Sequence, residues 1–110
     1  MAFNFDVTCE EGHFPDGSHA LSLKLSSPNL EVNVWLPRAD AGMLATIPGV
    51  GARAMRLGLA AHSPVHWVRT EDGEVLLLIG DDDQTWDLAI SVPAVTIDAA
   101  LSQIHAALTK

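Results

Sequence analysis

Five histidines, one cysteine and fourteen carboxylates are the side chains of this 110-residue chain with the most chemistry to offer. Spacing decides which chemistry is open to them. Cys9, His13 and His19, with Glu10, Glu11 and Asp16 among them, are ligand types for a transition metal, but the intervals match no closed zinc pattern. Chance proximity along the chain is the expected reading, with Cys9 continuing the apolar side of a strand. His62 and His66 stand four apart, an interval that brings two ligands together on a helix, yet Pro64 between them argues against a helix there. Asp81-Asp82-Asp83 lacks the alternating ligands, the glycine and the distal Glu of a calcium loop. No Gly-x-Ser-x-Gly elbow and no phosphate-binding glycine loop is present. The sequence therefore predicts no catalytic residue, no metal and no cofactor.

Seven acidic and no basic residues lie between Glu71 and Asp87, and the whole chain carries a formal charge of −8. That balance opposes binding to nucleic-acid backbones or anionic membranes and favours a basic protein partner. Most of these carboxylates fall in turns, which recruit Asp for backbone reasons alone. A solvated turn is thus weighed against electrostatic docking at Asp81, Asp82 and Asp83.

Residues 43–53, Met-Leu-Ala-Thr-Ile-Pro-Gly-Val-Gly-Ala-Arg, resemble the hairpin of the helix-hairpin-helix family. The resemblance covers about a tenth of the chain. It implies nucleic-acid binding in which Gly49 and Gly51 offer backbone amides to a phosphate and Arg53 adds charge. It also requires a second helix after Gly51, which Gly58 would weaken.

The elements that position these residues follow from hydrophobic period. Phe3, Phe5, Val7 and Cys9 alternate with polar residues, as do Leu21, Leu23 and Leu25. After the Ser27-Pro28-Asn29 turn, Leu30, Val32, Val34 and Leu36 share a buried side, which turns Trp35 outward beside Glu31 and Asn33. Asp40 is expected to cap a short helix through Ile47, and Pro48 to Gly51 to turn the chain. Met55, Leu57 and Leu59 predict a strand, with Arg56, Gly58 and Ala60 on its other side. Strands are expected over Val65–Thr70, Val75–Ile79 and Gln84–Val92. Ile97, Leu101, Ile104 and Leu108 recur at helical spacing, with Thr96 available as the cap and Pro93 upstream.

An Asp72-Gly73 two-residue turn of type I′ would pair Val68 with Leu77, Trp67 with Leu78 and Arg69 with Leu76. A four-residue loop at Gly80–Asp83 would then set Trp86 opposite Leu77. In that register His66, Val68, Val75, Leu77, Ile79, Trp86, Leu88 and Ile90 form the core face that receives the C-terminal helix. Trp67, Arg69, Leu76, Leu78, Thr85 and Asp87 form the opposite face, either covered by other strands or free for recognition.

The expected fold is a single α+β domain over residues 1–110. It has about six antiparallel strands in a curved sheet or partial barrel, one C-terminal amphipathic helix packed on it, and a short helix near residues 40–47. A single cysteine, which cannot form an internal disulfide, no apolar stretch of membrane-spanning length and no signal-like start point to the cytoplasm. The leading expectation for function is a non-enzymatic module that binds or inhibits a basic protein through Trp35 and the Trp67 face. A pocket between sheet and helix, with His66 and Trp86 at its mouth, would instead indicate a small-molecule binder or enzyme. Self-association through a strand edge is compatible with each.

Overall fold

The computed structural model describes residues 5–49 and 51–109, which leaves Phe3 outside the described residues. Seven strands form: β1 (Asp6–His13), β2 (His19–Ser27), β3 (Leu30–Pro37), β4 (Met55–Ala60), β5 (Ser63–Arg69), β6 (Val75–Gly80) and β7 (Trp86–Val92). They make one antiparallel sheet in chain order, followed by the helix α1 (Ala94–Leu108). The architecture is the α+β one expected, with a strand more than the six anticipated.

Period-two alternation builds the first half. Leu21, Leu23 and Leu25 of β2 and Val32, Val34 and Leu36 of β3 are buried on one face, while Lys24, Glu31, Asn33 and Trp35 are exposed on the other. Burying each of these aliphatic side chains contributes roughly 1.5–3 kcal/mol. Val7 and Cys9 of β1 pack against the same core.

Arg38–Thr46 forms a 3-10 helix rather than an α-helix. Ala41, Leu44 and Ile47 are buried at intervals of three, the period of that helix, so packing selects its geometry. Asp40 does not cap it: Pro37 stands at the cap position, and Asp40 lies within the first turn. The Ala52 N–H donates to the Gly49 carbonyl at 3.2 Å, and Gly51 adopts φ +85°, as a tight turn requires. The chain then becomes β4. Among the described residues a strand and not a helix follows the turn, so the helix-hairpin-helix arrangement does not form.

In β4 the expected alternation breaks at Gly58. The β4–β5 register shifts between Arg56 and Leu59, and Gly58 has φ +83°. A bulge here carries Leu59 to the outer face and turns Ala60 inward, with Leu57 and Ala60 both buried. A Cβ at position 58 would lie 2.9 Å from the Trp35 carbonyl oxygen and 2.9 Å from Leu36 Cδ2.

The β5–β6 turn corrects the predicted register by one residue. Gly73 N–H donates to Thr70 O and Thr70 N–H to Glu74 O, with φ +83° at Gly73 and no positive φ at Asp72. This is a three-residue loop closed by a glycine bulge, not a type I′ turn, which needs positive φ at both central residues. Trp67 therefore pairs with Leu77 and Arg69 with Val75. Because side chains alternate strictly, a one-residue change exchanges the faces. Trp67 is fully buried and donates its indole N–H to Leu57 O at 2.8 Å, whereas His66 and Val68 belong to the outer face.

β7 pairs with β6 four residues further along than expected, Leu77 with Ile90, after a longer loop and an extra residue at Asp87. Leu77, Ile90 and Val92 stay inside, but Trp86 and Leu88 are about half exposed on this edge strand. α1 starts earlier than Thr96: Pro93 occupies its cap position, and Thr96 is buried in the first turn with its N–H on Pro93 O at 3.0 Å. Ile97, Ala100, Ile104 and Ala107 form its buried stripe. The helix packs mainly against β1, β2 and the 3-10 segment, not against the C-terminal hairpins. It thereby covers the β1 side of the sheet. Among the described residues, no helix is long and apolar enough to cross a membrane.

Candidate protein-binding surface

Trp35 lies on the outer face of β3, 37% exposed, where the strand alternation places it. Its backbone is paired with Ser22 of β2 on one side and Leu59 of β4 on the other. Trp35 stands two residues from the end of β3, and Leu59 one residue from the end of β4, so the strands are staggered. The stagger brings the β4–β5 turn, Ala61-His62, up beside Trp35. From the other side comes the β1–β2 loop, built like the β5–β6 turn. Phe14 N–H donates to Ser18 O, Gly17 N–H donates to Phe14 O, and Gly17 has φ +89°.

Between these turns lies a hollow of about 350 Å³ lined by His13, Phe14, Pro15, Trp35, Leu59, Ala61 and His62. Trp35 also walls two neighbouring hollows. One is lined in part by Glu10, Glu11, Lys24 and Asn33, the other in part by Asp40, Arg56 and Gly58. The ring rests over Gly12 of β1, where a Cβ would stand 3.0 Å from Trp35 Cζ3. Ala61 and His62 have φ of 51° and 67°. Two non-glycine residues in the left-handed region make a type I′ turn at a cost of roughly 1–2 kcal/mol each. Strain of this kind concentrates at functional sites.

The carboxylates around Trp35 are unequally engaged. Glu31 pairs with Lys24 at 3.8 Å and Glu11 with Arg38 at 3.8 Å. The same Arg38 guanidinium donates to Leu108 O at 3.4 Å, which ties the 3-10 segment to the negative end of α1. Glu10 and Asp40 form no ion pair among the described residues. The His13 and His19 rings sit 4.8 Å apart across the last rung of the β1–β2 hairpin. Among the described residues, no group of three or more His, Cys, Asp or Glu is placed to hold a metal ion.

The residues singled out from sequence do not converge. Trp35 sits apart from Arg69, Leu76, Leu78, Thr85 and Asp87, which belong to β5, β6, the β6–β7 loop and β7. Trp67 is in the core and cannot serve as a docking side chain without unfolding. Leu78 is 6% exposed on the outer face; Arg69 and Leu76 are half-buried; Thr85 and Asp87 are exposed. Asp82 Oδ1 accepts the Gln84 and Thr85 amides, which hold its carboxyl below the usual range. Asp83 accepts from Arg53 at 3.4 Å, while Asp81 is exposed. That ion pair reaches from the β6–β7 loop to the segment before β4, so the loop folds back along the sheet. His66, its Nε2 3.3 Å from Gly80 O, is turned to the outer face, and Trp86 is on the edge strand. Neither faces the space between sheet and helix.

The residues that sequence reasoning missed are Phe14, Pro15, Leu59 and Ala61, while His62 enters it only as a partner of His66. Only the strand stagger and the Gly58 bulge bring them together. The chain matches no protein-family model, no curated protein and no solved structure.

Proposed function

We propose that this chain is a non-enzymatic protein-binding module that engages a basic segment of a partner protein through the outer-face groove at Trp35. The observation that carries the reading is one half-exposed tryptophan walling three adjoining hollows, with the unpaired carboxylates of Glu10 and Asp40 in the two that flank the groove. Tryptophan and a nearby carboxylate suit a lysine or arginine, through cation–π attraction of about 0.5–1 kcal/mol at an exposed site and added Coulomb energy. The chain charge of −8 would steer a basic partner towards this surface. A cytoplasmic setting accords with the lone, partly buried Cys9.

The test uses a Gly-Ser decapeptide ending in two arginines, followed by the three tryptophan indole N–H resonances. A shift confined to Trp35, reduced at least fivefold in apparent affinity by combined Glu10→Gln and Asp40→Asn, supports the reading. Binding that survives these changes but falls on Asp81→Asn with Asp72→Asn would place the site on the acidic turns and overturn it.

A further inference from the structure

We infer that the natural occupant of the Trp35 groove is a proline-rich segment in the polyproline II conformation with a basic residue at one end, an inference that rests on the protein-binding reading above. The groove excludes the other common ways of holding a peptide. At Trp35 the backbone of β3 is paired with Ser22 of β2 on one side and Leu59 of β4 on the other, so no strand can be added at that residue. The apolar lining of the hollow is confined to Trp35, Phe14, Pro15, Leu59 and Ala61, which offers an amphipathic helix few of the successive anchors it needs. What remains is a short extended ligand.

Its walls fit polyproline II specifically. Trp35, Phe14 and Pro15 offer flat, stiff rings, the surfaces between which proline rings seat. The Trp35 indole N–H makes no hydrogen bond among the described residues, in contrast to Trp67, whose N–H is committed to Leu57 O. Polyproline II carries no internal hydrogen bonds, so its carbonyls are free to accept that donor. Such a ligand is already ordered and loses little entropy on docking. Beside the groove, Glu10 offers an unpaired carboxylate to a cationic end residue in one flanking hollow, and Asp40 does so in the other, where Arg56 offsets part of its charge.

The experiment compares four probes by indole N–H shifts and titration: decaproline, decaproline ending in two arginines, and Gly-Ser decapeptides with and without the arginines. Arginine-tagged decaproline is expected to shift Trp35 alone and to bind at least tenfold tighter than its Gly-Ser counterpart. Trp35→Phe, which keeps a ring and removes the donor, is expected to weaken it at least fivefold while the far-ultraviolet spectrum and Tm are retained. Glu10→Gln with Asp40→Asn is expected to bring tagged and untagged decaproline to equal affinity. If the tagged Gly-Ser peptide binds at Trp35 as tightly as tagged decaproline, proline recognition is overturned while the basic-partner reading stands. If tagged and untagged decaproline bind equally in the parent protein, the basic end residue is overturned. If no probe shifts Trp35, both readings fall.

Discussion

Gly12 of β1 lies directly beneath the Trp35 ring of β3, so close that a methyl group there would meet Cζ3 at 3.0 Å. The two residues are separated by the whole of β2, and the absence of a side chain at position 12 lets the indole lie across it. Gly12 has no positive φ, so alanine suits its backbone. Gly12→Ala is therefore expected to leave stability within about 1 kcal/mol but to displace the ring, read as a changed Trp35 indole shift. An unchanged shift would mean that the neighbouring sheet absorbs the methyl group.

Trp67 and Trp35 make opposite predictions. Trp67→Phe removes the donor to Leu57 O inside the core and is expected to cost about 1–3 kcal/mol in urea unfolding. Trp35→Phe, which keeps a ring over Gly12, is expected to cost less than about 1 kcal/mol and to weaken peptide binding at the groove. Equal destabilisation by both would contradict the assignment of faces.

Gly58→Ala combines a left-handed backbone with contact at 2.9 Å to the Trp35 carbonyl oxygen. The backbone term alone is roughly 1–2 kcal/mol, and the rigid neighbour adds to it, giving an expected loss of about 2–4 kcal/mol. Thermal unfolding is the measurement, and a change below 1 kcal/mol would show that the bulge relaxes freely.

The Ala61-His62 turn should be improvable. Substituting Asn-Gly, the pair that type I′ turns favour, is expected to raise stability by about 1–2 kcal/mol and Tm by roughly 4–8 °C per kcal/mol. Peptide affinity at the groove would fall, because His62 lines it.

Asp82 supplies a pH dependence of known sign. Hydrogen bonds from the Gln84 and Thr85 amides lower its pKa from the ordinary 3.8. A carboxylate whose pKa falls on folding stabilises the protein fully above the unfolded value and loses that contribution as pH falls through the folded one. Asp82→Asn is accordingly expected to lower Tm at neutral pH and to converge with the parent in strong acid. A Tm gap that is constant across that range would assign the effect to packing instead.

Most of the strands were legible because one face of each is wet. Leu21, Leu23 and Leu25, or Val32, Val34 and Leu36, announce their own direction, and Trp35 points outward as the pattern requires. The errors came from turns. Asp72-Gly73 serves equally well in a two-residue or a three-residue loop, and the choice moved Trp67 from a presumed surface to the core. The true type I′ turn formed at Ala61-His62, whose residue types carry no such signal. Thr96 and Asp40 likewise have capping chemistry, yet each lies one or more positions inside its helix, where burial and the preceding proline decide the start.

Of the proposed binding surface, the sequence by itself determined the outward Trp35, because alternation between Val34 and Leu36 leaves that side chain no other side. It also determined the acidic charge and, on α1, the buried Ile97 and Ile104, whereas Ala100 and Ala107 complete that stripe and Leu101 and Leu108 are only partly buried. The tertiary structure decided that Phe14, Pro15, Leu59 and His62 surround that tryptophan. Strand stagger and the Gly58 bulge are settled by how the open sheet packs over its core, a balance of long-range packing to which no local period is sensitive. The same packing buried Trp67 against Leu57 and left Trp35 to face solvent.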